Sequence, residues 1–492
     1  MTADVTWRRT VAAWAVSLGL LVLAGCTVVI DSQPHNTPFV AAAGGRPAAA
    51  LALADSLSET SVALSFSGGG ARAAAFALGA LHGLDALPAG PAGSAGSLLD
   101  QLRFITSVSG GSMTAAYYGL HGKQGLAEFR QVALLRDSEA LLRSSLFNPM
   151  NIARLLAGGL NDRSTFQWWL DDEVFKHATF ADMSRPGRPL VWINATNLRQ
   201  RIAFPFHQGA FDAICSDLAS YPVAEAVAAS MAVPLVFTPI VLEKHPERCA
   251  DTLPEWVDMY ALTFGESMLS QSLLQALRDF RDTSSGRFVK LVDGGLSDNF
   301  GLTSIQQLRM LTGSPNAPWS DRDAINVRNL LFVVVDGGRQ PTVDWTRIPS
   351  GPNGLDLALA SIDAAIDTNV RLSYDSFVPM IRRWQDDMVR YRCGLPPDEQ
   401  ARIRAEKNGR WQCDDVRFTV TRLSFNDLAP ARAAALHAVP MRLKLPPADI
   451  DALIAAGRDA MVNNLAVRNF VARVQAAAPG EPAPGPTLAS QR

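Results

Sequence analysis

The chain has 492 residues, 48% of them hydrophobic and 19% charged, with a formal net charge of -2. That length could hold two or three average domains or one large α/β unit, and the hydrophobic content supplies an ample core. A charge so close to zero removes any compositional case for a nucleic-acid partner.

Arg8 and Arg9 precede an apolar run from Val11 to Leu23 that is too short for a comfortable membrane span, so residues 1–25 read as a secretory signal. The run ends in Leu23-Ala24-Gly25-Cys26, which resembles the lipobox of bacterial lipoproteins. That resemblance implies cleavage before Cys26 and lipid on its thiol and on the new amino terminus; an ordinary signal peptide containing a cysteine is the plainer alternative. The Arg8-Arg9 pair also permits twin-arginine export. Thr27, where enterobacterial lipoproteins retained at the inner membrane carry Asp, implies a cell-envelope address at the outer membrane, facing the periplasm or the surface. Residues 26–60, with Pro34, Pro38, Gly44, Gly45 and Pro47, read as a lipidated N-terminus and tether.

The folded part is expected from Ser61. Ser61–Phe66 is a short apolar strand that runs into Ser67-Gly68-Gly69-Gly70-Ala71-Arg72 and then a helix-like stretch. Glycines that open a helix let backbone N–H groups converge on an anion. With no G-K-S/T and no G-x-G-x-x-G, phosphate is the weaker ligand, and an oxyanion hole is the stronger reading, with Arg72 reinforcing it or orienting the loop. Arg103–Leu120 repeats the pattern of strand, tight turn and helix around Ser109, in the order Ser107-Val108-Ser109-Gly110-Gly111. Such an elbow lifts a serine hydroxyl out of the sheet, although Ser107 stands where a G-x-S-x-G elbow has glycine.

Helices are expected over Leu126–Leu146 and Pro149–Leu160. The aromatic stretch of Trp168, Trp169, Leu170 and Phe175 reads as core, or else as a cap touching acyl chains. Pro189–Ala195, Ile202–Phe206, Phe288–Val292 and Asn329–Val335 read as strands, and Pro222–Met231 as a helix. Two of these strands end in Asp-Gly-Gly, at Asp293 and at Asp336, and either carboxylate is well placed to meet groups at neighbouring strand ends. Later, Gly354–Val370 and Ala448–Val474 read as helices, Val416–Phe425 as a strand, and residues 476–492 as a disordered tail. Cys215, Cys249, Cys393 and Cys413 suit two disulfides in an oxidising compartment; proximity favours 215 with 249 and 393 with 413, yet three pairings are open. No metal-ligand spacing is present, and no cofactor is expected.

Taken together, SFSGGGARAAAFALGAL, TSVSGGS, ASMAVPLVFTP and DGGLSDNF, in that order, resemble the patatin-like phospholipases; TFADM and NATNL support the likeness. The resemblance implies an α/β fold of three layers, α/β/α, around a mostly parallel sheet. Its catalytic domain would span 61–340, followed by an extension over 341–475 that packs on the domain or completes it. It also implies a serine lipid acyl hydrolase of phospholipase A or lysophospholipase type, with a lipid ester as substrate. Ser109 would be the nucleophile, Asp293 its carboxylate partner, and Gly68, Gly69, Gly70 and Arg72 the oxyanion loop. Asp298 and Asn299 supply the Asp-Asn that follows the family's turn, which selects Asp293 over Asp336. Serine needs a proton acceptor to attack an ester, and a partly desolvated carboxylate gains basicity for that task. Two competing readings stand beside this one. An α/β-hydrolase with a Ser-Asp-His triad would need the late His437, and an envelope lipoprotein could use a hydrolase scaffold without turnover.

Overall fold

The computed structural model describes residues 30–39, 58–90, 96–145, 147–249, 267–312, 316–317, 319–338, 349, 351–352 and 354–476. The signal segment, Cys26 and the tail over 477–492 lie outside the described residues.

One eight-stranded sheet organises the chain. Its strands are β1 (Thr60–Phe66), β2 (Leu102–Val108), β3 (Leu190–Asn197), β4 (Ile202–Phe206), β5 (Ile240–Glu243), β6 (Phe288–Val292), β7 (Asn329–Val335) and β8 (Arg417–Leu423). The order across the sheet is β8-β7-β1-β2-β3-β6-β5, with β4 also paired to β3. From β8 to β3 every pairing is parallel, whereas β4 and β6 run antiparallel to β3, and β5 antiparallel to β6.

Central strands buried on both faces need apolar side chains at odd and even positions alike, which is why β7 reads NLLFVVV. Its alternation divides the core. Leu331, Val333 and Val335 face one hydrophobic cluster with Val62, Leu64 and Phe66 of β1, while Leu330, Phe332 and Val334 face a second with Phe104, Trp192 and Trp384. Helices cover both faces, giving three layers, α/β/α, around a mostly parallel sheet.

The first cluster is covered by α1 (Gly70–Asp85), α2 (Gly110–Phe129), α4 (Val223–Ser230), α6 (Pro447–Asn463) and α7 (Leu465–Ala476). A short α3 (Pro149–Ala157) sits outside this layer with Asn151 as its buried residue. Nine of the 16 residues of α1 are Gly or Ala, as its place between the sheet and α6 requires: a Cβ on Gly79 would lie 2.0 Å from the carbonyl oxygen of Ile454, and one on Gly457 2.1 Å from that of Phe76. The second cluster is closed by α5 (Gly354–Cys393), 40 residues long, whose Phe377 and Trp384 pack on Phe332 and Trp319. Arg392 at its end is fully buried. It donates to the carbonyls of Val327 and Gln412 and pairs with Asp415 at 2.6 Å, and these acceptors offset much of the cost of burying its charge. The chain beyond 340 therefore adds an edge strand to the sheet, α6 and α7 to one face and α5 to the other. Disulfides join Cys215 to Cys249 and Cys393 to Cys413.

Several local expectations are corrected. Residues 30–39 are not a tether, because they lie docked on the body. Asn36 is buried, donating to Ser216 Oγ at 2.6 Å and to the Glu243 carbonyl at 2.8 Å while accepting from the Glu243 N–H at 2.8 Å. The helix expected over Leu126–Leu146 ends earlier: α2 closes at Phe129, and one π-helical turn over Arg130–Leu134 follows before irregular chain. The helix expected over Ala448–Val474 is two, broken at Asn464, whose side chain accepts from the N–H groups of Ala466 and Val467 and so starts α7. Trp169, Leu170 and Phe175 are buried core, and Trp168 is half exposed; none of them lines the cavity described next.

Candidate active site

β2 ends at Val108 and α2 begins at Gly110, so Ser109 alone makes the turn, at φ 49° and ψ −126°. A side chain rarely adopts that backbone, and the strain is tolerated because the surroundings fix it. The Ser109 N–H donates to Ser230 Oγ at 2.7 Å, and its carbonyl accepts from the Ser112 N–H at 2.8 Å. The neighbours must be small: a Cβ on Gly110 would lie 2.0 Å from the Gly70 carbonyl oxygen.

Asp293 stands at the end of β6. Ser109 Oγ donates to Asp293 Oδ2 at 2.9 Å, while the Gly295 N–H donates to Oδ1 at 2.8 Å. Both side chains are more than nine-tenths buried. The sheet brings together two residues that are 184 positions apart, and the end of α4 locks them to each other. Ser230 accepts from the Ser109 N–H through its hydroxyl and from the Gly294 N–H through its carbonyl, at 3.1 Å; Ala232 accepts from the Asp293 N–H at 2.9 Å. The Ser230 hydroxyl in turn donates to the Asn194 carbonyl at 2.6 Å. Ser230 thus positions both halves of the pair. In sequence Ser230 stands only within the segment ASMAVPLVFTP, and nothing local shows which distant N–H it meets.

The glycine run faces the same point. The Gly68 N–H is committed to the Asn299 carbonyl at 3.1 Å and the Ala71 N–H to the Arg442 carbonyl at 2.8 Å. Gly69 and Gly70, at φ 141° and 62°, are left as the two whose N–H groups can converge on an oxygen held above Ser109, at the positive end of α1. Asn299 explains the pairing of the two motifs: its side-chain oxygen lies 2.3 Å from where a Gly68 Cβ would be. Asp298, fully buried, holds that loop by accepting from the N–H groups of Phe300 and Thr303, and burial raises its pKa against the pull of those bonds.

Three expectations find other places. Arg72 is turned away from the cavity; its guanidinium is buried beside the Phe425 ring and donates to the carbonyls of Val439 and Gly338. It clamps the C-terminal extension and the β7 turn, so the oxyanion loop is built without it. Asp336 accepts from the Gly338 N–H and pairs with Arg422 at 2.8 Å, outside the cavity lining. His437, which a triad would require, lies in the helix Pro430–His437 against Asn426 Oδ1 at 3.0 Å, and among the described residues no histidine lines the cavity.

The cavity over Ser109 has a volume of about 420 Å³. Its floor is polar, with Ser109, Asp293, Asn299 and the glycine run, and its walls are apolar, among them Leu142, Met231, Val236, Phe237, Leu296, Ile362, Ile366 and Met441. Ile362 and Ile366 come from α5 and Met441 from the segment before α6, so the extension supplies part of the wall. Over the rim, Arg442 pairs with Glu139. Burial works against the Glu139 carboxylate, but the bonds from Arg442 and from the N–H groups of Lys444 and Leu443 outweigh it and hold its pKa below the usual value.

Residues 64–305 match the patatin-like phospholipase family model, and this span of the chain is a patatin-like phospholipase domain. Among solved structures the chain is similar to human GIVD cytosolic phospholipase A2, at 14% identity and a TM-score of 0.33, covering 84% of this chain and 63% of that one. It is also similar to VipD from Legionella pneumophila, at 11% identity and a TM-score of 0.25, covering 86% and 75%. The chain therefore spans less than two thirds of the human protein's length. No relative among curated proteins matches it.

Proposed function

We propose that this chain is a membrane-anchored serine lipid acyl hydrolase of phospholipase A or lysophospholipase type. The observation that carries the reading is the 2.9 Å hydrogen bond from Ser109 Oγ to Asp293 Oδ2, made at a strained elbow on the floor of an apolar cavity. Ser109 Oγ attacks the ester carbonyl carbon as its proton passes to Asp293, and the carbonyl oxygen takes up negative charge facing the N–H groups of Gly69 and Gly70. When the tetrahedral centre collapses, the C–O bond to the alcohol breaks, Asp293 returns the proton to that alcohol, and an acyl-serine remains. Water then attacks, giving its proton to Asp293; the fatty acid leaves and Ser109 regains its hydroxyl. The apolar wall suits an acyl chain, and a pocket of this volume falls in the range of about 300–1,000 Å³ typical of small-molecule sites. Lipid on Cys26, at the outer membrane, would keep the enzyme beside its substrate.

The test is fluorophosphonate labelling of the purified chain followed by a lipid panel with mass-spectrometric identification of products. Labelling should fall on Ser109 and be absent in Ser109→Ala, and products should be free fatty acid with the matching lysolipid or glycerol-headgroup alcohol. Labelling elsewhere, or full turnover in Ser109→Ala, overturns the assignment.

A further inference from the structure

The rim of the cavity carries an apolar surface with no assigned task. Leu142 lines the cavity wall, and the chain that follows it exposes Phe147 at 99% and, on α3, Leu156 at 85%, with Met150 and Ile152 about half exposed. α3 then runs through Gly158 into the short strand Gly159–Asn161, which pairs with Leu235–Phe237, two of whose residues, Val236 and Phe237, also line the cavity. Asn161 locks the arrangement, exchanging hydrogen bonds with the backbone of Arg143 and donating to the Val236 carbonyl. A helix of nine residues that buries one of them is not held by its own core packing.

The docked N-terminal segment says what covers this surface. The Asp31 N–H donates to Asp162 Oδ2 at 3.3 Å, next to the Gly159–Asn161 strand. From there the segment is pinned by His35 on Glu225, by buried Asn36, by the Asp217 N–H on the Thr37 carbonyl at 3.0 Å and by the Phe39 N–H on the Cys215 carbonyl at 2.9 Å. Cys26 is five residues before Asp31. Five residues reach at most about 18 Å, whereas a free tether from Cys26 to Thr60 could stray by about 120 Å. The strap therefore brings the anchor point to the same rim as Phe147, α3 and the cavity mouth.

We propose that this rim is the membrane-docking face: Phe147 and the exposed side of α3 enter the lipid surface, and the strap over 31–39 holds the lipidated cysteine so that the cavity opens onto the bilayer carrying the anchor. This rests on the reading of Cys26 as lipidated and of the cavity as a lipid site, and the experiment separates the two. In a Ser109→Ala background, which leaves vesicle lipid intact, an environment-sensitive fluorophore is placed on Phe147→Cys. A control fluorophore goes on Glu406→Cys, an exposed position on the helix Pro397–Glu406, which precedes the start of β8, whereas Ser109 follows the end of β2. Vesicles of phosphatidylethanolamine and phosphatidylglycerol should shift the emission of the first to the blue and leave the second unchanged, in the lipidated chain and, at higher vesicle concentration, in Cys26→Ser. In the chain with Ser109 intact, Phe147→Ser with Leu156→Ser should weaken vesicle binding by about tenfold or more and slow vesicle-lipid hydrolysis, from the lost transfer of two large apolar side chains. Hydrolysis of a soluble short-chain ester should not change. Asn36→Ala in the lipidated chain should slow hydrolysis of vesicle lipid without touching the soluble ester. No shift at 147, or an equal shift at both positions, overturns the proposal. Loss of the soluble-ester activity in wild type would instead count against the catalytic reading and leave the docking result standing.

Discussion

Asp293→Asn is the sharpest perturbation of the pair. Asparagine has the shape of aspartate and keeps an oxygen for the Gly295 N–H, which donates to Oδ1 at 2.8 Å, so the turn loses no contact. The Oδ2 position becomes an NH₂ group, which donates where the carboxylate accepted the Ser109 proton at 2.9 Å. Ser109 then has no acceptor, and general-base assistance of about 10²–10⁴ should vanish, equivalent to about 3–5 kcal/mol of transition-state stabilisation. Folding stability should hardly change, because no void opens and a buried charge disappears. The assay is kcat/KM on p-nitrophenyl butyrate beside thermal unfolding, with fluorophosphonate labelling of Ser109 as a second readout. A variant that keeps within about fivefold of wild-type kcat/KM would refute the assignment of Asp293 as base, because the expected loss is at least an order of magnitude larger.

Arg72→Met should separate clamping from catalysis: leaving the Val439 and Gly338 carbonyls without their charged donor should cost about 3 kcal/mol in urea unfolding, with kcat nearly unchanged at temperatures where the variant is folded. The opposite pattern, normal stability and a hundredfold lower kcat, would return Arg72 to the oxyanion site. Gly79→Ala drives a methyl group into the Ile454 backbone, so α1 and α6 must part, and unfolding free energy should fall by about 1–3 kcal/mol; an unchanged melting temperature would show that the two helices do not touch. His207 is buried and its pKa is lowered to about 4 by burial. The unfolded chain therefore takes up the proton first, so its contribution is full above about pH 6.5 and declines as pH falls towards 4, a loss on the order of 2–3 kcal/mol at pH 4.5. Urea titrations at pH 7.5 and 4.5 should show a smaller difference in His207→Asn than in wild type, and equal differences would exclude this histidine as a source of acid sensitivity.

The sheet was legible because its strands are short apolar runs: Ile202–Phe206, Phe288–Val292 and Asn329–Val335 have the boundaries their sequences suggest, the last two closed by Asp-Gly-Gly. The three loops at the strand ends were legible for the same reason, since glycine runs next to Ser or Asp are rare outside turns that need them. What joins them was not. The choice of Asp293 over Asp336 comes from the Asp298-Asn299 motif of the family resemblance, because the geometry behind it, β6 lying beyond β3 while β7 lies beyond β1, leaves no local mark in the sequence. Arg72 misled because a cation after a glycine loop reads as anion-binding, whereas its acceptors are carbonyls at Gly338 and Val439, far along the chain. The strap was hidden by composition: Pro34, Asn36 and Pro38 look like linker, and only the groove built by Ser216 and Glu243 gives Asn36 its three partners. The break at Asn464 did have a signal, an Asn-Asn pair inside an apolar helical pattern, with asparagine a good helix cap.

The division of labour along the chain has a consequence for what such a site can select. Every polar group at the reacting centre, from Gly68 to Asn299, comes from the segment that matches the family model, and each is tied to another by backbone hydrogen bonds that leave little room for change. Part of the apolar wall lies outside that segment. Ile362, Ile366, Met441 and Leu443 line the cavity from beyond residue 340, beside Leu142, Met231, Val236, Phe237 and Leu296 of the family segment. Substituting them alters cavity volume and shape without disturbing the Ser109–Asp293 bond, and a methylene more or less in such a pocket shifts preference by about 1–3 kcal/mol. On the proposed function, exchange of those four side chains should therefore shift the acyl-chain length of the released products while leaving turnover of a short ester in place.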